Sequence, residues 1–276
     1  MTHGPADISQ LLIDNDLRPS RALGQNFVAD ANTVRRIVRL AEVHHGQPVV
    51  EIGAGLGSLT LALAEAGARV TAVEIDRQVV PVLRQQVGPR GVRVVEADAL
   101  RLDWAELLGE DEPEPWALVA NLPYNVATPL VIRVLEEAPQ VGSLLVMVQR
   151  EVGERMAARA GEEAYGAVSV KVAYWATAKV VGRVPPSVFV PRPRVESVLV
   201  RLVRRSDAVW APGDPSYDRL FAVVRGGFAH RRKMLRRSLA DLVEPETFDQ
   251  AGIDPTARAE ELTLEEWRRL AGVDTP

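Results

Sequence analysis

The sequence contains no cysteine among its 276 residues, so it has no disulfide framework, no cysteine-ligated zinc site and no thiol nucleophile. It also lacks any apolar run close to the ~20 residues that a membrane-spanning helix requires, because Arg, Asp or Glu interrupts every stretch. The N-terminal segment carries Asp7, Asp14 and Asp16 where a signal peptide would have a basic start and an apolar run. We therefore expect a cytoplasmic protein with no membrane partner, and we take it to be a monomer.

Charge is distributed unevenly along the chain. The formal net charge is −4, which on its own speaks against a nucleic-acid partner. Between Arg201 and Arg237, however, ten Arg and Lys residues stand against three Asp, a local charge of +7. Most of these cations are Arg, whose planar guanidinium suits phosphate. This segment indicates either an anionic partner or an ordinary solvated surface.

Short apolar runs alternate with amphipathic stretches of helical length between residues 48 and 205. Buried strands joined by helices are typical of a parallel sheet that is covered on both faces. The last two runs are joined by a loop rather than a helix, so they can pair as an antiparallel hairpin. The sequence predicts an α/β fold with a seven-stranded, mostly parallel sheet and an antiparallel edge strand. The predicted strands are 48–53, 69–76, 92–98, 116–124, 143–150, 171–177 and 197–203.

The composition changes after residue 206. The segment WAPGDPSYD at 210–218 is rich in turn residues, and the patterns beyond it are helical without strands. We therefore predict a first domain over 1–206, which includes an N-terminal helical extension over 1–47, and a small all-α domain over 207–276.

A glycine-rich turn follows the first predicted strand, where Gly53, Gly55 and Gly57 precede a helix. Glycine lets the backbone approach a ligand closely at the carboxyl edge of a parallel sheet. Glu74 and Asp98 end the second and third strands at the same edge, where carboxylates can accept the hydroxyls of a ribose and the amine of an adenine. The turn could also be a tight connection without a ligand, and either acid could be a helix cap.

The ligand of this turn could be NAD or S-adenosylmethionine. The glycine spacing departs from the dinucleotide fingerprint, because Ser58 follows Gly57 directly. Glu51, just before the turn, suits a ligand that carries a sulfonium and an ammonium better than a pyrophosphate. The pattern favours S-adenosylmethionine.

The fourth predicted strand runs into Asn121-Leu122-Pro123-Tyr124. Adenine N6 is a poor nucleophile because its lone pair is delocalised into the ring. An amide oxygen and a backbone carbonyl can accept its two N–H bonds, and an aromatic ring can stack on a base that has left its own stack. A polar-aromatic motif of this kind could be only a turn, but its position after the fourth strand favours a site for a target amine.

Seven motifs in order along nearly the whole chain resemble the ribosomal RNA adenine dimethyltransferase family, above all its bacterial small-subunit branch. They are GQNF at 24–27, EIGAGLG at 51–57, NLPYN at 121–125, VQREVGERM at 148–156, FVPRPRVES at 189–197, FAHRRKMLRRSL at 228–239 and IDPTARAEELTLEEW at 253–267.

The resemblance implies a Rossmann-like class I methyltransferase fold with a small helical C-terminal domain. It also implies S-adenosylmethionine as the cofactor, S-adenosylhomocysteine as its product, and no metal. The implied reaction dimethylates N6 of two adjacent adenines near the 3′ end of small-subunit ribosomal RNA in a pre-ribosomal particle.

The resemblance also assigns residues by matching positions. Asn121 and the Leu122 carbonyl would bind the target amine in the turn that contains Pro123, Tyr124 would stack on the base, and Phe189 would close its other face. The residues assigned to the cofactor are Gln25, Asn26, Val28, Glu51, Gly53, Gly55, Glu74, Ile75, Asp98, Ala99 and Asn121.

RNA would be held by basic residues of two segments. Two of them flank the proposed base loop, and five lie on a predicted helix, although a solvated helical face is the alternative for those five. These residues are Arg192, Arg194, Arg231, Arg232, Lys233, Arg236 and Arg237.

Three other functions compete with this interpretation. A large-subunit ribosomal RNA adenine methyltransferase, which would confer antibiotic resistance, shares the cofactor motifs, but Leu122 and the segments 189–197 and 228–239 favour the small-subunit branch. A non-catalytic ribosome assembly factor would not need the intact motif Asn121–Tyr124. An NAD-dependent oxidoreductase is disfavoured by the glycine spacing.

Overall fold

The computed structural model describes residues 3–109 and 112–273, so the outermost residues of both predicted domains lie outside the described part. The chain forms two compact units. The first consists of Met1–Gly153 and Lys179–Val203, and the second of Glu154–Ala178 and Arg204–Pro276. The predicted boundary at 206/207 places Glu154–Ala178 in the first domain, whereas in the structure these residues belong to the second unit.

The described residues form nine strands and twelve α-helices. The strands are β1 (Phe27–Val28), β2 (Pro48–Ile52), β3 (Arg69–Glu74), β4 (Arg93–Glu96), β5 (Trp116–Asn121), β6 (Val141–Gln149), β7 (Ala176–Val184), β8 (Phe189–Val190) and β9 (Ser197–Arg204). The helices are α1 (Pro5–Asp14), α2 (Ala31–Ala41), α3 (Ser58–Glu65), α4 (Val79–Val87), α5 (Trp104–Leu108), α6 (Ala127–Glu137), α7 (Arg150–Ala157), α8 (Ala167–Trp175), α9 (Pro215–Ala229), α10 (Leu235–Ser238), α11 (Pro245–Ala251) and α12 (Leu264–Ala271). None of the described helices is long and apolar enough to cross a bilayer.

Seven strands form one sheet in the order β4-β3-β2-β5-β6-β9-β7. The pairs from β4 to β6 are parallel, and β9 is antiparallel to β6. The predicted seven-stranded, mostly parallel sheet is therefore confirmed. The antiparallel strand β9 is next to the edge rather than outermost. Its first four residues are all buried, as an inner strand requires, whereas β7 exposes Lys179 and Arg183, and charged side chains suit a sheet edge.

The predicted strand at 171–177 is wrong, because helix α8 covers most of it and the strand begins only at Ala176. The β-branched and aromatic residues of this run have strand propensity, but a fully buried helix gives the same apolar pattern. Tyr174 packs edge-on against the rings of Tyr217 and Phe221 in the second unit. Tertiary packing has overridden local preference here.

The core of the first unit positions the functional edge of the sheet. Helices α2 and α3 pack on strands β2, β3, β5 and β6 through a cluster of buried aliphatic residues. Since β2 to β5 are parallel, their carboxyl ends meet at one edge. Gly53, Glu74, Asp98 and Asn121 end or follow these four strands, so the fold brings them to the same edge.

Candidate active site

The glycine turn after β2 lines one side of a cleft of about 760 Å³ at this edge. Gly53, Gly55 and Gly57 all have positive φ, at 72°, 56° and 87°, a conformation that L side chains rarely adopt. A Cβ on Gly55 would also lie only 3.0 Å from two ring carbons of Phe27. The turn therefore requires glycine both for its backbone conformation and for close packing.

Glu74 holds the glycine turn in place. Its Oε2 accepts a hydrogen bond from the Gly55 backbone N–H at 2.7 Å, and its Oε1 accepts from Ile75 and Asp76 at 2.9 and 3.0 Å. Burial raises the pKa of Glu74, and these three backbone bonds oppose that rise. The carboxylate lines the cleft and is fixed before any ligand arrives.

Glu51 is the second buried acid of the cleft, with 2% of its surface exposed. Its Oε2 has no hydrogen-bond partner among the described residues. Burial raises the pKa of Glu51 to about 8. A buried carboxyl group in a cleft without a counter-charge is suited to receive a cationic group from a ligand.

A second, mostly apolar lobe of about 550 Å³ adjoins the first. The two lobes share Leu23, Gly53, Ile75 and Pro123. The second lobe is also lined by Asp98 and Ala99, and by aliphatic residues of β2, β3 and α6. An apolar lobe with one carboxylate among its lining residues has the chemistry for an adenine ring and its amine.

The N-terminal segment before β1 is tied to the cleft at two points. Gln25 donates from Nε2 to Asp76 Oδ2 at 2.7 Å and accepts at Oε1 from the Ser20 N–H at 2.7 Å. Asn121 donates from Nδ2 to the carbonyl of Asn26 at 2.9 Å. Gln25 therefore anchors the segment, and its amide is already used within the protein.

The bond to Asn26 determines how the Asn121 amide is oriented. Since Nδ2 is engaged, Oδ1 remains as an acceptor, and among the described residues it takes no hydrogen bond. The Leu122 N–H donates to the carbonyl of Met147 at 3.0 Å, which fixes the turn onto β6. Asn121, Leu122, Pro123 and Tyr124 all line the cleft.

Tyr124 has a partner that the sequence analysis missed. Its hydroxyl lies 3.1 Å from the hydroxyl of Ser197, the first residue of β9, which is fully buried. Burial also raises the pKa of the Tyr124 hydroxyl. Ser197 is the last residue of the segment FVPRPRVES. Its place in that motif was the only feature of the sequence that could have indicated a role for Ser197.

Phe189 does not lie where the prediction placed it. In the structure it belongs to β8, pairs with Val28 of β1 and is 4% exposed within the apolar core. It lines neither lobe of the cleft. An aromatic residue next to proline-rich sequence resembles a loop residue, but the pairing of β1 with β8 draws this ring into the core. Val28 and Asn26 do line the cleft.

The predicted RNA-binding residues do not share one helix. Helix α9 ends at Ala229, and Arg231, Arg232 and Lys233 lie in the following turn, so that part of the prediction is wrong. Met234 bridges to Arg258, and the Leu235 N–H donates to the carbonyl of Ala257 at 2.8 Å. These tertiary contacts interrupt the helix.

The charge of this basic segment is also partly compensated. Two of its cations pair with acids from outside the segment 201–237: Arg231 with Glu260 at 2.7 Å, and Arg201 with Glu42. The other assigned cations are exposed: Arg192, Arg194, Arg232, Lys233, Arg236 and Arg237.

The sheet order, the glycine turn and the acids that follow neighbouring strands define a class I methyltransferase with a Rossmann-like fold. Two solved structures share it. A 23S rRNA methyltransferase, ErmE, superposes with a TM-score of 0.69 at 27% identity, covering 90% of this chain and 98% of that one. A dimethyladenosine transferase from Plasmodium falciparum superposes with a TM-score of 0.73 at 21% identity, covering 89% and 98%.

Within this class, the chain belongs to the ribosomal RNA adenine dimethylase family, whose profile matches residues 17–273. Among its relatives is a protein of Streptomyces coelicolor named ribosomal RNA small subunit methyltransferase A, 47% identical over 97% of this chain and 95% of that one. A protein of the same name from Corynebacterium glutamicum is 42% identical over 98% and 94%. The family that the motifs suggested is thus confirmed.

Proposed function

We propose that this protein dimethylates N6 of two adjacent adenines near the 3′ end of small-subunit ribosomal RNA in a pre-ribosomal particle, with S-adenosylmethionine as methyl donor. The observation that carries the proposal is the Asn121 amide, which a bond to the Asn26 carbonyl orients within the cleft. That orientation leaves Oδ1 to accept an N–H bond from an amine in the cleft. The names of the relatives support the small subunit as the target.

The residues of the cleft fit this methyl donor. Glu51 offers a buried, unpartnered carboxyl oxygen for an ammonium group. Glu74 presents a fixed carboxylate for ribose hydroxyls, and the apolar lobe beside Asp98 suits an adenine. When bound, S-adenosylmethionine supplies a methyl group that is already activated by its sulfonium, so the protein needs no covalent intermediate.

The turn after β5 activates the acceptor. Asn121 Oδ1 and the Leu122 carbonyl would each accept one N–H bond from adenine N6, which draws the nitrogen toward tetrahedral geometry. The Tyr124 ring, held through Ser197, would stack on the base. Alignment of donor and acceptor at ~3–3.5 Å supplies at most ~7–11 kcal/mol of the barrier reduction.

The same turn permits a second methyl transfer. Once methylated, N6 becomes acidic and can lose its proton to water, so no dedicated base is required. A neutral Asn121 loses one hydrogen bond when the amine carries a methyl group, which costs less than the same loss at an ionised carboxylate.

The test is methyl transfer from tritiated S-adenosylmethionine to immature small subunits, with large subunits as the parallel substrate. We expect incorporation into small-subunit RNA only, at a rate about 10³-fold lower with the Asn121→Ala variant. Incorporation into large-subunit RNA would instead establish the antibiotic-resistance type of enzyme. Specific binding to small subunits without any incorporation would establish a non-catalytic assembly factor.

A further inference from the structure

Two elements of the first unit carry exposed cations, although the chain as a whole carries −4. Helix α2 exposes Arg35 and Arg39, which are four residues apart and therefore lie on one side of the helix. The outermost strand β7 exposes Lys179 and Arg183. With the half-buried Arg36 and with Arg201 on β9, these residues are called the α2–β7 face below.

A direct contact joins the two elements of the α2–β7 face. Arg36 donates from Nη1 to the carbonyl of Arg183 at 2.9 Å. A Cβ on Gly182 would lie 2.5 Å from Arg36 Nη2, so the guanidinium rests on the β7 backbone at this glycine. A backbone carbonyl does not neutralise Arg36, so the guanidinium keeps its charge at this contact.

Few acids compensate this face. Glu42, just after α2, forms a bidentate ion pair with Arg201. Glu65, on α3, pairs with Arg90 at 3.6 Å and also feels the charge of Arg35. Within α2 with its flanking residues Asp30 and Glu42, the β7 residues of this unit and Arg201, six cations stand against two carboxylates. Asp30 and Glu65 both interact with the charge of Arg35. Repulsion among these cations favours an anionic partner.

The α2–β7 face begins beside the cleft. Strand β1 precedes α2 directly and contains Val28, which lines the cleft. Strand β8 follows β7 after a short connection, and β1 pairs with β8. The Ala29 N–H also donates to the carbonyl of Val188 at 2.8 Å. Both basic elements therefore extend from the strand pair that borders the cleft.

The spacing of the cations suits an extended polyanion. Four residues of helix separate Arg35 from Arg39 by ~6 Å, and four residues of strand separate Lys179 from Arg183 by ~13 Å. Arg provides a planar fork for phosphate oxygens. A single phosphate would engage one such group, whereas a chain of phosphates can engage several in succession.

We propose that the α2–β7 face binds the phosphate backbone of the RNA strand that delivers its adenine to the cleft. This inference rests on the proposed function. It adds a second RNA contact, on the unit that also holds the cleft, to the contact expected in the segment 231–237.

Two pairs of charge reversals test the proposal on two separate elements: Lys179→Glu with Arg183→Glu, and Arg35→Glu with Arg39→Glu. The control pair, Arg84→Glu with Arg93→Glu, makes the same change of charge at exposed residues of α4 and of β4, the edge strand at the other end of the sheet. The probes are a protein-free 3′-terminal fragment of small-subunit RNA, measured by fluorescence anisotropy, and immature small subunits. Affinity for S-adenosylhomocysteine verifies that each variant is folded.

We expect each face pair to weaken binding of the RNA fragment about 10- to 100-fold, and the control pair at most about 3-fold. The slope of log K against log salt should become shallower by ~1.4, because two single-strand phosphate contacts contribute ~0.7 each. An alternative role for Lys179 and Arg183 is to prevent the edge strand β7 from pairing with another strand. Glu at these positions would serve that role equally well, so in that case the reversals would leave RNA binding unchanged.

Equal RNA affinity for the face pairs and the control pair would overturn the inference while wild-type methylation leaves the proposed function intact. A loss seen with particles but not with the RNA fragment would also overturn it, because the partner would then be a ribosomal protein. Wild-type protein that neither binds nor methylates the RNA would instead refute the proposed function. If a face pair loses cofactor binding, the milder single changes Arg39→Gln and Arg183→Gln replace it. Each should make the slope of log K against log salt shallower by ~0.7, and an unchanged slope would overturn the inference.

Discussion

The polar groups of the cleft come from short motifs that each follow one strand, whereas the basic residues that we assign to RNA come from segments far apart in the chain. Glu51, Glu74 and Asn121 reach one edge because parallel strands end there. Arg36 and Arg183 are 147 residues apart and meet only through tertiary packing. Short sequence motifs therefore predict a cofactor site well, but they predict a polyanion-binding surface poorly.

The two regions also differ in how their charges are held. Glu74 is buried and fixed by three backbone N–H groups, as a site for one small ligand requires. Arg35, Arg39 and most of the cations in 231–237 are exposed, as a surface for a long and variable polyanion requires. We expect changes in the cleft to affect turnover and stability, and changes on the basic surfaces to affect affinity and its salt dependence.

The largest effect is expected from Asn121→Ala. This change removes the acceptor for adenine N6, so kcat should fall by about 10³-fold, near the upper range for loss of one preorganised catalytic hydrogen-bonding group. Cofactor affinity should fall at most about tenfold, which corresponds to the lost bond to Asn26. Steady-state kinetics and calorimetry measure the two effects. Asn15→Ala, an exposed control, should change neither, and near-normal turnover of Asn121→Ala would remove the assigned role.

The second effect concerns stability against pH. Because the pKa of Glu51 is about 8 in the folded protein and near 4.5 when unfolded, the folded state binds more protons between these values. The free energy of unfolding should therefore decrease as pH rises from about 4.5 to 8, by on the order of 4 kcal/mol. Glu51→Gln should remove the contribution of Glu51 and leave only the decrease that the raised pKa of Glu74 causes, as measured by urea unfolding at several pH values.

The matched control for that measurement is Glu106→Gln, at an exposed position of the same unit. It should keep the wild-type pH dependence. If Glu51→Gln also keeps it, the buried carboxyl group is not the origin of the effect.

The third effect tests the basic segment of the second unit. Arg231 is already paired with Glu260, so Arg232 and Lys233 should account for most of the RNA contact there. Arg232→Ala with Lys233→Ala should lower RNA affinity about tenfold and reduce the salt slope by ~1.4. Arg225→Ala, an exposed cation in the same +7 segment, is the control. An equal effect of Arg225→Ala would mean that only the total charge matters.

The smallest effect concerns the bond between Tyr124 and Ser197. Ser197→Ala should lower kcat about 2- to 10-fold, since a hydrogen bond of this kind contributes about 0.5–1.5 kcal/mol. Tyr124→Phe removes the same bond from its other end, so the double variant should be no worse than either single one. Ser206→Ala, an exposed control, should be neutral. Strictly additive losses would show that the bond does not position the ring.

Much of the cleft could be predicted from the sequence because its chemistry is local. Glycines with positive φ, an acid after the next strand and a polar-aromatic turn each leave a pattern within a few residues. Ser197 left no such pattern, because its contact with Tyr124 spans 73 residues. Phe189 was misplaced because its position depends on the pairing of β8 with a two-residue strand.

The errors in the fold have a similar cause. Residues 171–175 lie in a helix that has no exposed residue, and burial removes the polar face by which a helix is recognised. The turn at 231–233 interrupts a strongly helical sequence because Met234 and Leu235 bond to residues near Ala257. In both places, contacts with distant residues decide the local structure, and a single sequence does not record those contacts.

The central claim is that the cleft brings a methyl donor to adenines of small-subunit RNA. It is tested most directly by mass spectrometry of RNA that has been digested with nuclease after incubation of immature small subunits with protein and S-adenosylmethionine. We predict N6,N6-dimethyladenosine at two adjacent positions near the 3′ end with the wild-type protein, formed about 10³-fold more slowly with Asn121→Ala. Modification at any other nucleotide, or unmodified RNA from a protein that binds the particle, would contradict the claim.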